Sequence, residues 1–364
     1  MGKLRLGVVG VGHLGKEHAR ILSSLAEVEL VGVADVRPDQ LHAVAQRCQT
    51  LPFLHYRDLI PLVDAACVVV PTAEHRAVAA DFITAGKAVL VEKPLAATAS
   101  EAAELVALAR RHGVILQVGH IERFNPAFVD VQRRPLRPKF IQAERFGPFS
   151  GRGLDVGVVL DLMIHDLDLV LTLVGSEVSD VEAVGVSVFG QHEDLAYARL
   201  RFRNGCVATL AASRVARQPR RIMHLLGAEG WATINFGQRR VEYVQPSPLL
   251  QRCDVRSLDA AALAQFREHW FSRCFDSKTL DFQGVDQLTA ELRHFVDCVR
   301  SRQTPLVSGD DGLAALLLAE RVQTSMGRHA WEGDLTGPCG PCDLPAPSGP
   351  LFVTPAAAAW PRAA

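Results

Sequence analysis

The chain has 364 residues, and 39 Lys and Arg stand against 40 Asp and Glu for a formal charge of −1. That balance excludes a strongly basic nucleic-acid surface, and 6% aromatics leave little for stacking on single strands. With 48% hydrophobic residues the composition is globular rather than disordered, and no uncharged run of 18 apolar residues marks a membrane span.

The chain opens on Lys3 and Arg5 before an apolar run, a faint likeness to a secretion signal. The run passes at once into glycines and Lys16-Glu17-His18 without a small-residue cleavage site, and Leu6 stands where a myristoylation signal has Ser or Thr. A cytoplasmic protein is expected. The eight cysteines, at 48, 67, 206, 253, 274, 298, 339 and 342, are scattered and read as reduced, mostly buried side chains.

Up to about residue 120, β-branched runs alternate with helical patterns. Strands are predicted over 4–9, 28–34, 66–70, 88–91 and 114–118, with helices over 14–23, 74–85 and 98–111. Near-continuous apolar strands separated by helices imply a parallel sheet covered on both faces, which binds ligands outside its carboxyl edge. The first turn reads Gly10-Val11-Gly12-His13-Leu14-Gly15, after a strand, before a helix, and with Asp35 twenty residues beyond Gly15. Those contexts mark a dinucleotide site. Gly10 permits the tight turn, Gly12 lets backbone approach a pyrophosphate, and Gly15 lets helix pack on strand. Asp35 suits the ribose hydroxyls and repels a 2′-phosphate, favouring NAD over NADP. Arg37 is either a phosphate partner or a solvated side chain.

Residues 88–91 lead into Glu92-Lys93-Pro94, placing two charges at the carboxyl edge of the sheet. From 139 the pattern changes to strand-like runs at 139–146, 181–189, 195–203, 206–213, 221–226 and 231–236, with Asn204-Gly205 as a hairpin turn. This predicts an α/β chain: a dinucleotide-binding domain over 1–120 and an α+β domain with a large, mostly antiparallel sheet over 121–330. The open face of that sheet is expected to pair with a second subunit. Between the first two of these runs, residues 156–174 are apolar almost all round yet carry Asp161, His165 and Asp168 on one helical stripe. Buried ionisable groups are costly unless paired or used. A structural Asp–His pair and a metal site are alternatives to an acid–base site, but no third zinc ligand is placed nearby. Arg152, in the preceding Gly-Arg-Gly loop, is either a pyrophosphate clamp or a solvated side chain, and Arg123 is equally open. Helices are predicted over 287–300 and 311–325. Residues 331–364 read as a loosely attached Pro/Ala-rich tail whose Cys339-Gly340-Pro341-Cys342 lacks the context of a redox site.

Taken together, the glycine turn, Asp35, Pro71-Thr72 with His75, Glu92-Lys93-Pro94 and the Asp161/His165 helix resemble the Gfo/Idh/MocA oxidoreductase family over about residues 3–329. One departure is Met163, where the family often has Gly. The resemblance implies NAD held by Gly10, Gly12, His13, Leu14, Gly15, Asp35, Arg37, Pro71, Thr72, His75, Glu92 and Lys93. It implies catalysis by Lys93, His165 and Asp161, and substrate contacts from His120, Arg123, Arg152, Asp161 and His165, with no metal. Residues 119–126 and 154–166 look like the branch acting on UDP-N-acetylglucosamine. That likeness implies a UDP-sugar substrate oxidised at its 3-hydroxyl, an aminotransferase acting next towards a lipid A precursor, and a homodimer or homotetramer. Another sugar or inositol substrate, or a non-catalytic nicotinamide sensor, is the alternative.

Overall fold

The computed structural model describes all residues except 1, 150, 152–155, 190, 251–253, 285 and 350–364. Among the described residues, six parallel strands form the first sheet: β1 (Leu4–Val9), β2 (Val28–Ala34), β3 (Leu51–Phe53), β4 (Ala65–Val68), β5 (Ala88–Glu92) and β6 (Leu116–Gly119). Their order is β3-β2-β1-β4-β5-β6, so the chain reverses direction between β1 and β4 and opens a crevice there. Helices α1 (Gly15–Ser24), α2 (Pro38–Cys48), α3 (Thr72–Thr84) and α4 (Ala99–His112) connect the strands. Leu90, Val91, Val89 and their neighbours are fully buried, as a sheet covered on both faces requires. Of these elements α2 and β3 escape the sequence reading, because β3 is three residues long and mostly exposed.

The second sheet has eight described strands in the order β14-β13-β12-β11-β7-β10-β9-β8. It follows α5 (Pro126–Gln132) and comprises β7 (Pro138–Phe146), then, after α6 (Ile164–Val174), β8 (Val178–Val186), β9 (Leu195–Phe202), β10 (Val207–Ser213), β11 (Arg220–Gly227), β12 (Gly230–Asn235) and β13 (Arg240–Pro246), and, after α7 (Ala260–Cys274), β14 (Phe275–Asp281). All pairings are antiparallel except β7 with β10. Gly205 at φ 83° closes the β9–β10 hairpin that Asn204-Gly205 predicts. Ala127, Phe128, Leu167, Val170 and Val322 cover one face. On the other face, Gln142, Glu144, Tyr197, Arg199 and Thr209 line a shallow depression. β13, α7 and β14 carry no clear pattern in the sequence; α7 buries only Cys274.

Of the last helices, α8 (Gln287–Ser301) packs on the first sheet and α9 (Gly309–Gly327) bridges the cores of both. Leu292, Phe295 and Val296 of α8 complete the core formed by β1 and α1. The first domain therefore takes helical cover from far beyond residue 120. Nor is the start of the tail loose: Trp331 Nε1 donates to the Gly340 carbonyl at 2.8 Å, and Ser187 N–H donates to the Pro341 carbonyl at 2.8 Å. Residues 330–341 are thus tied to the end of β8, which the polar composition of the segment conceals.

Candidate active site

A cleft of about 830 Å³ lies along the carboxyl edge of the first sheet. Gly10, Gly12, His13 and Leu14 from the first turn, Asp35 and Arg37 after β2, Pro71, Thr72 and His75 at the start of α3, and Glu92 and Lys93 after β5 all line it. Gly10 sits at φ 85°, and a Cβ on Gly15 would stand 1.8 Å from the Gly10 carbonyl oxygen. At Gly12 the space is open apart from Arg37 Nη2 at 3.7 Å. Gly10 and Gly15 let strand, turn and helix close on one another, and Gly12 leaves the backbone bare where a pyrophosphate approaches, so the residues present fit a dinucleotide.

Asp35 accepts the Val11 N–H at 2.9 Å and the Arg37 N–H at 2.9 Å. Burial alone would raise its pKa, but the Arg37 side chain and those two amides outweigh burial and hold the carboxyl below its usual value. The Arg37 guanidinium lies 3.1 Å from Asp35 and stays largely exposed. His75 borders the cleft and is also held by backbone on both sides. It is 1% exposed, and its ring nitrogens lie 2.8 Å from the Pro94 carbonyl oxygen and 2.9 Å from that of Val70. Its work is to strap the two loops that border the cleft.

Behind the cleft, His18 is fully buried and its Nε2 lies 3.0 Å from Glu92 Oε1. Glu92 Oε2 accepts the Lys93 N–H at 3.2 Å. Burial opposes the Glu92 charge, and His18 and Lys93 outweigh it, so its pKa is lowered. Glu291 of α8 is also fully buried, and burial together with the Glu92 charge pushes its pKa well above 4.5. His18 is a residue to which the sequence, read only as part of the charged Lys16-Glu17-His18 run, assigns no role in the site. Its place three residues after Gly15, on the face of α1 that meets the sheet, is the signal that would have found it.

Lys93 Nζ donates to the Asp161 carbonyl at 2.6 Å and to Asp161 Oδ1 at 3.0 Å. Asp161 lies in a π-helical turn, Val159–Met163, and regular α-helix starts only at Ile164. The single α-helical stripe expected through Asp161, His165 and Asp168 is therefore broken after Met163. His165 meets His120 edge-on, with ring centroids 6.1 Å apart. Burial first, then the charges of Lys93 and Arg145, push the His165 imidazole well below the ordinary 6.5, so it is neutral at neutral pH. His120 is 1% exposed and its pKa is lowered, again chiefly by burial. Its two ring nitrogens, and Nδ1 of His165, have no hydrogen-bond partner among the described residues.

Two expectations are corrected here. Arg123 does not line the cleft: its Nε and Nη2 grip Asp168 at 2.7 and 3.0 Å, and Nη2 reaches Asp311 at 3.3 Å. Asp168 is thereby a buried ion-pair partner rather than part of the acid–base set. Arg145, also buried, clamps Asp166 at 2.9 and 2.8 Å and Glu122 at 2.7 Å. These partners are 21 to 188 residues apart, so no local spacing announces them. Arg152 lies outside the described residues. Among the described residues no group of three or more His, Cys, Asp or Glu could hold a metal ion, and no helix is long and apolar enough to cross a membrane.

Comparison with known proteins agrees with this geometry. Residues 4–120 match the oxidoreductase family with NAD-binding Rossmann fold, and residues 133–233 match the GFO/IDH/MocA C-terminal domain. The chain is 40% identical over 234 residues to a UDP-N-acetylglucosamine 3-dehydrogenase of Acidithiobacillus ferrooxidans, covering 64% of this chain and 74% of the relative. A crystal form of the A. ferrooxidans UDP-N-acetylglucosamine 3-dehydrogenase superposes with a TM-score of 0.78 at 33% identity, over 89% of this chain and 98% of that one. A scyllo-inositol 2-dehydrogenase (NAD(+)) of Bacillus subtilis is 28% identical over 332 residues, covering 85% of this chain and 90% of the relative. The chain belongs to the Gfo/Idh/MocA family and is an NAD-dependent oxidoreductase acting on a CH–OH group of a sugar-type substrate.

Proposed function

We propose that the chain oxidises the 3-hydroxyl of UDP-N-acetylglucosamine to a 3-keto sugar nucleotide, which an aminotransferase then consumes on the way to a lipid A precursor. The observation that carries the chemistry is Lys93 anchored on Asp161 near His165, whose imidazole burial and the Lys93 charge push towards the neutral form. The likeness to the A. ferrooxidans enzyme supports the substrate.

Gly10, Gly12, His13 and Leu14 would hold the pyrophosphate, with Gly15 letting the helix close on Gly10, Asp35 would hold the ribose, and Pro71, Thr72, Glu92 and Lys93 would border the nicotinamide end. When bound, NAD supplies the hydride acceptor. Lys93 donates a hydrogen bond to the substrate hydroxyl oxygen and stabilises negative charge as it develops there. The neutral His165 imidazole takes the hydroxyl proton, and Asp161 keeps Lys93 in place. His120 stands against His165 as a substrate-side contact. The open face of the second sheet is our candidate for a homodimer or homotetramer contact, and we place the enzyme in the cytoplasm.

The test is incubation with NAD and, separately, UDP-N-acetylglucosamine, free N-acetylglucosamine and myo-inositol. Loss of two hydrogens from the nucleotide sugar alone is expected, with borodeuteride reduction placing the label at C3. Because oxidation of a secondary alcohol by NAD is uphill near neutral pH, an aminotransferase that removes the ketone should raise turnover. Equal oxidation of the free sugar or of inositol removes the nucleotide from the proposal. The inositol dehydrogenase relative keeps that second reading in view.

A further inference from the structure

Asp161 is carried on a π turn, Val159–Met163. At its end the Ile164 N–H donates to the Val159 carbonyl, five residues back. Such a turn holds one residue more than an α turn and leaves a carbonyl outside the α-helical ladder, free for another donor. Asp161 sits at the centre of this turn, and its carbonyl takes the Lys93 ammonium. A continuous α-helix would commit that carbonyl to the backbone N–H four residues on.

The start of the turn is held from the β8–β9 connection. Glu193 Oε1 accepts the Val159 N–H at 3.1 Å, and the Glu193 carbonyl accepts the Val158 N–H at 3.0 Å. Glu193 is 4% exposed, and it fits because residue 157 is glycine: a Cβ there would stand 2.0 Å from Glu193 Oε1. The next residue braces the same point. Asp194 accepts the Val188 and Phe189 N–H groups and pairs with Arg214, whose Nη1 donates to the Val156 carbonyl at 2.8 Å. A carboxylate at a helix start also meets the positive end of the helix dipole.

We propose that Glu193 is a positioning residue for the reaction: by capping Val159 beside Gly157 it sets the π turn, and through the Asp161 carbonyl it aims Lys93 at the substrate hydroxyl. The kinetic part of this inference rests on the role given to Lys93 above. The geometric part does not.

Three variants test it. Glu193→Gln keeps an Oε1 acceptor, Glu193→Asp keeps the charge but shortens the reach, and Glu193→Ala removes the cap. Misplacing Lys93 by about 1 Å should lower kcat of Glu193→Ala roughly ten- to a hundredfold, with smaller change in KM. Glu193→Gln should recover most of that loss, Glu193→Asp less, and NAD affinity should be unchanged in all three. Independently, the rate at which an amine-acylating reagent labels Lys93, read by peptide mass spectrometry without substrate or NAD, should rise in Glu193→Ala and return in Glu193→Gln. If Glu193→Ala does not fold, Glu193→Asp against Glu193→Gln carries the same comparison. Unchanged Lys93 labelling across the folded variants, or a Glu193→Gln protein as impaired as Glu193→Ala, overturns the proposal. Altered labelling with unaltered kcat upholds the positioning and overturns instead the catalytic role of Lys93.

Discussion

Two helices begin at the cleft, and they are built by opposite means. At α1 the backbone itself is the device: Gly10 in the left-handed region, Gly12 open to the cleft, Gly15 in contact with Gly10. At α6 side chains from distant strands hold the entry: Glu193 and Arg214 from beyond β8, Lys93 from the end of β5. The first design accepts a ligand common to many enzymes and needs only small residues. The second must place an ammonium, an imidazole and a substrate together, and it does so with buried charge. Damage to the first should show in cofactor choice, and damage to the second in turnover and stability.

The largest effect is expected at the second helix start. Lys93→Met and His165→Asn should each lower kcat by ~10²–10⁴ while NAD affinity stays near that of the parent. Because the His165 pKa lies below 6.5, the acid limb of the kcat–pH profile should fall below that value. A limb above it, or a Lys93→Met enzyme with near-full turnover, removes the proposed division of labour.

Next comes Arg123. Its loss leaves Asp168, 1% exposed, without its cation. Arg123→Ala should therefore destabilise the fold by about 3–5 kcal/mol, and joint replacement by Arg123→Met and Asp168→Leu should restore much of that. Urea unfolding of the single and double variants decides; a mild single variant with raised KM would return Arg123 to the substrate.

Asp35→Ala probes the first helix start. Removing a charged acceptor of the ribose hydroxyls costs ~1.5–3 kcal/mol of NAD binding, roughly ten- to a hundredfold, and should narrow the gap to NADP. Titration of both cofactors measures it. Parent protein that prefers NADP would make Arg37 a phosphate ligand.

The smallest effect is on stability against pH. Burial lowers the pKa of His75, His120 and His165 in the folded chain. Just below 6.5 the unfolded chain then binds more protons, so stability should fall as pH drops through that value, by at most ~1.4 kcal/mol per pH unit per group. Glu291 acts in the opposite sense: its raised pKa makes stability fall as pH rises above 4.5. Urea midpoints from pH 7.5 to 5.5 should decline, less steeply in His120→Asn.

These contrasts also explain what the sequence discloses. The glycine turn, Asp35 and the alternating strands are written in local spacing, and β1, β2, β5 and the Asn204-Gly205 hairpin lie where that spacing puts them. Lys93, Asp161 and His165 stand out as charges in apolar runs. The partners of those charges do not, since Arg145 with Glu122, or Lys93 with Asp161, meet only after folding. The π turn is equally silent: one extra residue in an apolar helix shifts no hydrophobic pattern enough to be seen.

Helix α9 adds a constraint in time. Its Ala315 and Leu316 belong to the core of the first sheet, while Leu318, Ala319 and Val322 belong to that of the second, and Gly312 lies so close to β6 that a Cβ would meet Val118 at 2.6 Å. Phe295 and Leu292 of α8 likewise seal the β1 side. As the chain leaves the ribosome, β6 is complete some 170 residues before these helices arrive, a wait of roughly ten to thirty seconds at ordinary synthesis rates. Through that interval the dinucleotide sheet has α1 to α4 but lacks the cover that α8 and α9 supply. Until they arrive, the apolar positions that Leu292, Phe295, Ala315 and Leu316 complete have no helical partner from this part of the chain.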